Sequence, residues 1–161
     1  MNACAFLSHL GAAAQPAAAF ALSVLQSTSF SYETRGNAAV VLASGRADSL
    51  DIRAALLEAV KLEDVRAKRL RIECALALWG LDRQYAPMGT RLVLKSIVPS
   101  NKQSLAGEPD FIGWLNLRHV DPYESIPTLK QSLESDSAEI RKEATEALEK
   151  IKAQSKAGEQ Q

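Results

Sequence analysis

Few side chains in this sequence stand at the spacings that catalysis or metal binding requires. Gly89 and Lys95 suggest a phosphate-binding loop, but Leu94 stands where a glycine must precede the lysine. The two histidines, His9 and His119, lie far apart and match no metal-ligand spacing. The chain also lacks the Gly-x-Ser-x-Gly and His-Glu-x-x-His patterns of hydrolases and zinc peptidases. We therefore predict a non-enzymatic protein with no metal site and no cofactor.

A basic run on one predicted helix is the local feature best suited to an anion. Helical geometry spreads its four cations around much of the circumference, and acidic side chains lie close by in the sequence. Lysine plus arginine and aspartate plus glutamate balance at 19 each, whereas nucleic-acid-binding domains are normally basic. Nucleic-acid binding is thus the least favoured of the functions that we consider. The run consists of Arg66, Lys68, Arg69 and Arg71.

The segment that departs from the helical pattern holds the residues that we consider best placed to bind a partner. Lys102 lies on the polar stretch from Ser100 to Asp110, and Trp114, Arg118 and His119 follow it. An aromatic ring with cation and imidazole neighbours is typical of a binding hot spot. Trp114 could equally fill a core, so both interpretations stay open. We treat all four side chains as candidate binding residues.

An apolar pattern that recurs along the chain indicates the elements that position these side chains. Residues at offsets 0, 4, 7, 8 and 11 from Leu70 are apolar, and the same offsets from Ile140, 70 residues later, are apolar too. These offsets span a stripe roughly 100° wide on a helix. An arginine follows the first position of each copy, and Arg35, 36 residues before Arg71, marks a weaker third copy. A period near 35 is typical of arrays of paired helices.

Capping residues and turn signals divide the chain into helices. Ser31 caps a predicted helix that Gly45 ends. Leu62 to Asp64 forms a predicted turn between two helices, although one long helix from Leu50 to Gly80 remains an alternative because no glycine or proline marks that turn. Asp136 begins the last helix.

The segment from Ser125 to Ile151 resembles a HEAT repeat, in particular the bacterial variety that is similar to the repeats of phycobilin lyases. The resemblance implies an all-α fold, a right-handed α-α superhelix (solenoid) of about four HEAT-like helical hairpins. It also implies that the turn aspartate, Asp136, bonds to the second-helix arginine, Arg141. The matching residues lie on two helices and in the turn between them: Pro127, Leu129, Leu133, Asp136, Ile140, Arg141, Ala144, Ala147 and Leu148.

Length and composition predict one domain over residues 1–153, followed by a disordered polar tail over residues 154–161. The resemblance implies that this domain consists of HEAT-like repeats. The two cysteines, Cys4 and Cys74, cannot form a disulfide framework, and Cys74 falls on the apolar stripe. We therefore predict a reducing compartment and a cytoplasmic location. Met1 to Tyr32 is uncharged but broken by polar residues and a proline, so we predict no membrane span.

The uncharged first 32 residues are unusual for the end of a repeat array, because a terminal repeat normally presents a polar outer face. We predict that Phe6, Leu10 and Phe20 are covered by a partner, most simply a second copy of the chain in a homodimer.

These inferences predict a protein-binding scaffold or adaptor that presents a rigid helical-repeat surface. The resemblance to phycobilin lyases implies an alternative role as an accessory to the attachment of a bilin-type cofactor. Neither the identity of the partner nor that of the cofactor follows from the residues.

Overall fold

The computed structural model describes residues 17–97 and 110–158 of the 161-residue chain. Within these ranges the ordered elements are all helical, so the predicted all-α class is confirmed there. No helix in the described ranges is both long enough and apolar enough to cross a membrane. The eight α-helices are α1 (Ala18–Gln26), α2 (Tyr32–Ser44), α3 (Leu50–Val60), α4 (Lys68–Leu81), α5 (Ala86–Ile97), α6 (Phe111–Leu117), α7 (Ile126–Ser132) and α8 (Ala138–Gly158).

The chain divides after Tyr85 into two compact units. In the first unit, α2 packs against both α1 and α4, and α3 packs against α4, which gives two helical hairpins, α1–α2 and α3–α4. Gly36 of α2 lies beside Glu73 of α4, and a Cβ added at this position would meet Cγ of Glu73 at 3.5 Å, an ordinary van der Waals distance. The core of this unit consists mainly of buried side chains on α2 and α4, among them Ala38, Val41, Leu42, Leu70, Cys74, Leu78 and Trp79.

A side-chain cap begins α2 where the sequence predicts it. The Ser31 hydroxyl accepts a hydrogen bond from the Thr34 N–H at 3.2 Å, and α2 ends with Gly45 as its C-cap, so both predicted boundaries are confirmed. Helix α3 ends at Val60, and helical structure resumes only at Val65. The alternative of one long helix is therefore wrong, because residues 61–64 leave the helical path.

Arg53 on α3 joins three parts of the first unit. Its guanidinium donates two hydrogen bonds to Asp48, at 2.6 and 2.7 Å, and one to Asp82 at 3.1 Å. The Arg53 hydrogen bonds lower the pKa of the Asp48 carboxyl. The Gln84 backbone N–H and, after it, Arg53 lower the pKa of Asp82. This cluster ties the loop before α3 to the end of α4.

Helices α2 and α6 end in the same hydrogen-bonded motif, with a residue other than glycine in the left-handed region. Arg46 has φ of 49°, and His119 has φ of 52°. The residue after each donates its N–H to a carbonyl five residues back, at 3.0 Å for Ala47 and 3.2 Å for Val120. This is the Schellman arrangement, in which the left-handed position usually holds glycine.

The second unit contains α5 to α8. Helix α5 contacts α6, α7 and α8, and α7 pairs with α8. The last helix of this unit, α8, begins at Ala138. The Ser137 hydroxyl accepts a hydrogen bond from the Ile140 N–H at 3.3 Å. The N-cap is therefore Ser137, one residue after the predicted Asp136, because a cap must lie directly before the first helical residue. The large buried side chains of this unit include Leu94, Phe111, Trp114, Leu115, Leu129 and Ile151.

Helix α8 continues to Gly158, five residues into the predicted polar tail of residues 154–161. The added turn contains glutamine, lysine and alanine, which favour helix and need no buried partner. Residues 154–158 are thus helical in the structure, and the division into a domain of residues 1–153 and a polar tail stays a prediction. The prediction of one domain stays a prediction beside the two units described here.

The two copies of the apolar stripe are buried to different extents. Cys74 and Ala144 share one offset, and both are fully buried. Ala77 and Ala147 share another, and each is 2% exposed. Leu70 is fully buried, whereas its counterpart, the leading isoleucine of α8, is only half-buried. The stripe therefore identifies the inward side of both helices, while the burial of its first position differs between them.

Candidate functional site

Two arginines of the repeated pattern make the same contact in the first unit. Nε of Arg35 donates a hydrogen bond to the carbonyl of Leu25, in the last turn of α1, at 2.8 Å. Nε of Arg71 donates to the carbonyl of Val60, the last residue of α3, at 3.1 Å. Carbonyls in the last turn of a helix lack an intrahelical donor and carry partial negative charge. Each arginine therefore fastens the first helix of its hairpin to the second.

The third arginine, Arg141, also donates to main-chain oxygens. Its Nη1 bonds to the carbonyls of Ser135 and Asp136, at 2.6 and 3.1 Å, in the turn before α8. The resemblance implied a bond to the Asp136 carboxylate, and the structure places the main-chain oxygen of that residue in this role. The reason is geometric, since both carbonyls lie in the turn directly before α8, within reach of the guanidinium.

The basic run from Arg66 to Arg71 is engaged within the first unit. Nη2 of Arg66 lies 2.7 Å from the Asp64 carboxylate, and these hydrogen bonds lower the pKa of that carboxyl. Nε of Arg69 lies 3.8 Å from the buried Glu73. Because Arg71 holds a helix end, Arg66, Arg69 and Arg71 all contact groups that belong to the first unit.

The candidate binding residues of the sequence analysis do not share one surface. Trp114 is only 5% exposed and belongs to the core of the second unit. Arg118 is half-buried, and His119 is exposed as the left-handed residue that ends α6. Lys102 lies outside the described residues. A binding role for this segment stays a prediction, and its surface members are Arg118 and His119.

The predicted oligomer interface is described at one residue. Phe20, on α1, is 54% exposed, so its ring is available to a partner in the first unit as described. Phe6 and Leu10 lie outside the described residues. Coverage of these three side chains by a second copy stays a prediction.

The sequence analysis missed a groove between α1 and α3 in the first unit. Its volume is about 550 Å³, which is within the range of ligand-binding clefts. Helix α1 contributes one face, and α3 contributes residues from successive turns. The lining residues are Leu22, Leu25, Gln26, Arg35, Asp51, Ala54, Ala55, Glu58, Ala59 and Leu62. We call this feature the α1–α3 groove.

The charges of the α1–α3 groove are unevenly placed. Asp51 and Glu58 lie seven residues apart on α3, which corresponds to about 10.5 Å along the helix axis. Helix α1, the opposite wall, contains no charged residue. Arg35 reaches the groove from α2, with its Nε bonded to α1 and its guanidinium carbon 5.8 Å from the centre of the Tyr32 ring. The groove therefore has one acidic wall and one uncharged wall.

The two carboxylates of the groove are too far apart to share one ligand atom. They lie two helical turns apart, too far for both to contact one metal ion. Across residues 17–97 and 110–158, no three His, Cys, Asp or Glu side chains are grouped to hold a metal ion. Small alanines on α3 leave room for an apolar surface to approach. The signal available in the sequence was this alanine cluster with Asp51 and Glu58 at i and i+7.

The groove is difficult to find from sequence because α1 and α3 are adjacent only in the folded unit. The hairpins and the arginine contacts agree with the inward stripe that the sequence indicates, but they do not identify a family by themselves. The HEAT assignment therefore rests on the motif and stays a prediction. No protein-family model, no curated protein and no solved structure matches this chain.

Proposed function

We propose that this chain is a non-enzymatic protein-binding scaffold or adaptor, built as a right-handed solenoid of HEAT-like hairpins, and that its partner binds in the α1–α3 groove. The observation that carries the proposal is the groove itself, a cleft of about 550 Å³ that is lined by leucines and alanines together with polar side chains, among them two separated carboxylates. A protein surface with these properties buries apolar area at its centre and makes polar contacts at its edge.

The walls of the groove support this proposal because they are held in place before a partner arrives. Arg35 fastens the end of α1, and Arg71 fastens the end of α3, each through a carbonyl. Both helices pack against the buried α2–α4 pair. A preorganised surface loses little conformational entropy on binding, so more of the contact energy appears as affinity.

The location that we propose is the cytoplasm. Cys74 is free and buried, which is in keeping with a reducing compartment. The basic run offers little support for nucleic-acid binding, because Arg66 and Arg71 are engaged with Asp64 and Val60.

The proposal is tested by blocking the groove and recovering partners from cells. Ala54 is exposed and lines the groove, so Ala54→Arg adds bulk and a positive charge beside Asp51 and Glu58 with little effect on folding. Ala153→Arg is the matched control, since Ala153 is an exposed helical alanine on α8. We expect a protein that co-purifies with the wild type and with Ala153→Arg to fall about tenfold with Ala54→Arg.

Thermal unfolding of both variants accompanies the co-purification, so that loss of partner is separated from loss of fold. Equal recovery of every partner with wild type and Ala54→Arg would contradict the proposal that the α1–α3 groove is the binding site.

A further inference from the structure

We infer that the occupant of the α1–α3 groove is an amphipathic helix of the partner that carries two basic side chains about two turns apart. This inference rests on the proposed function and deepens it, because it names the chemistry of the segment that binds. Its basis is the spacing of Asp51 and Glu58 on one wall together with the apolar, uncharged face of the other.

The shape of the groove favours a helix as the occupant. Its walls are two helices, and the residues of α3 that line it, from Asp51 to Ala59, extend about 12 Å along the axis. That length corresponds to a little over two turns of a docked helix. Ala54, Ala55 and Ala59 are small, so a helix backbone can approach α3 closely, as in other helix-in-groove complexes.

The charges of the groove favour basic side chains at the edge of that helix. Asp51 is exposed, and Glu58 is exposed with Lys61 2.7 Å from its carboxylate as a local partner. Ion pairs between exposed, neighbouring side chains contribute little free energy. Replacement of Lys61 by a cation of the partner beside Glu58 therefore costs little free energy. Arg35 repels a cation from the α2 side, which leaves the α3 wall as the place for basic residues.

The charges of the groove also argue against the first residues of this chain as its occupant. The first 32 residues contain no lysine, arginine, aspartate or glutamate, so they offer no complement to Asp51 and Glu58. A basic amphipathic helix satisfies both the apolar lining and the acidic wall.

The experiment uses two fluorescent synthetic peptides, each of about 20 residues so that an alanine- and leucine-based helix forms in isolation. One carries a lysine pair at i and i+7 beside its leucine stripe, and the other carries glutamates at those two positions. Binding to the full chain is measured by fluorescence anisotropy at low salt. We expect the lysine peptide to bind about tenfold more tightly, since two attractive pairs become two repulsive ones.

A protein variant locates this preference. In Asp51→Asn/Glu58→Gln we expect the ratio of the two affinities to fall to about twofold or less. Glu63→Gln/Glu149→Gln is the matched control, because both of its glutamates are exposed and neither lines the groove. The control should keep the full ratio, and thermal unfolding checks that both proteins are folded.

The outcomes separate this inference from the proposed function. Equal affinities for the two peptides, or a preference that survives in Asp51→Asn/Glu58→Gln, would overturn the basic helix, while the Ala54→Arg test would decide separately whether a partner binds in the groove. Absence of binding by either peptide would overturn the helical occupant. A photo-reactive residue placed at Ala55 that captures a second copy or this chain's own residues, instead of the lysine peptide, would also overturn it.

Discussion

Replacement of Arg71 by methionine should release the end of α3 from α4. Methionine keeps a long apolar stem and removes the donor that lies 3.1 Å from the Val60 carbonyl. A hydrogen bond from a charged donor contributes about 1.5–3 kcal/mol, and a cation at a partly buried helix end contributes up to about 2 kcal/mol. Because these two values describe the same contact, we expect the free energy of unfolding to fall by about 1.5 kcal/mol.

The repeated pattern extends this prediction to the other arginines. Arg35 is half-buried like Arg71 and donates to the end of α1, so Arg35→Met should cost the same amount. Arg141 is exposed, and Arg141→Met should cost only about 0.5 kcal/mol. Urea unfolding followed by the fluorescence of Trp79, which is buried in the first unit, measures the change at positions 35 and 71.

Arg83→Met is the control, because Arg83 is an exposed arginine in the same unit. A loss at Arg71 smaller than about 0.3 kcal/mol, or an equal loss at Arg83, would refute the reasoning that the carbonyl contact is what these arginines contribute. Unequal losses at Arg35 and Arg71 would refute the equivalence of the two hairpins.

Three further predictions follow from local geometry and burial. His119→Gly should raise the free energy of unfolding by about 0.5–1 kcal/mol in urea, because glycine adopts the left-handed region without strain; a loss would contradict this. Leu70→Ala should cost about 3 kcal/mol and Ile140→Ala about 1 kcal/mol, since only the former is fully buried, and equal losses by calorimetry would argue against it. The lowered pKa values of Asp48 and Asp82 predict stabilisation that is complete above about pH 4 and is lost as pH falls through their folded values; urea midpoints for Asp48→Asn should show a smaller acid-induced loss than wild type.

Features that depend on neighbouring residues could be predicted from the sequence. Ser31 caps α2 because its hydroxyl needs only the N–H three residues later. The turn at residues 61–64 could be predicted although no glycine or proline marks it. The buried positions of Cys74 and Ala144 follow from helical periodicity.

Features that depend on tertiary position could not be predicted. Gly45 ends α2 as predicted, yet it lies in the right-handed region, and the fold gives the left-handed conformation to Arg46. Lys150 pairs with Asp110 at 2.5 Å across 40 residues, a contact that no local pattern encodes. The α1–α3 groove belongs to the same class, because it exists only where two hairpins meet.

Trp114 illustrates why residue type alone is a poor guide to a site. An indole near arginine and histidine fits a recognition surface and a core equally well, and burial decides between them. The candidate site of this chain instead contains alanines and leucines, whose types carry no chemical signal until their arrangement is known.

The burial of Cys74 makes the reactivity of its thiol a probe of local opening in the first unit. Desolvation raises the pKa of this thiol, so the reactive thiolate is scarce while the core is closed. In a Cys4→Ser chain, a thiol reagent would therefore label Cys74 only during excursions that separate α2 from α4. The labelling rate therefore measures how often these excursions occur, and a ligand that holds the neighbouring hairpins together would lower this rate.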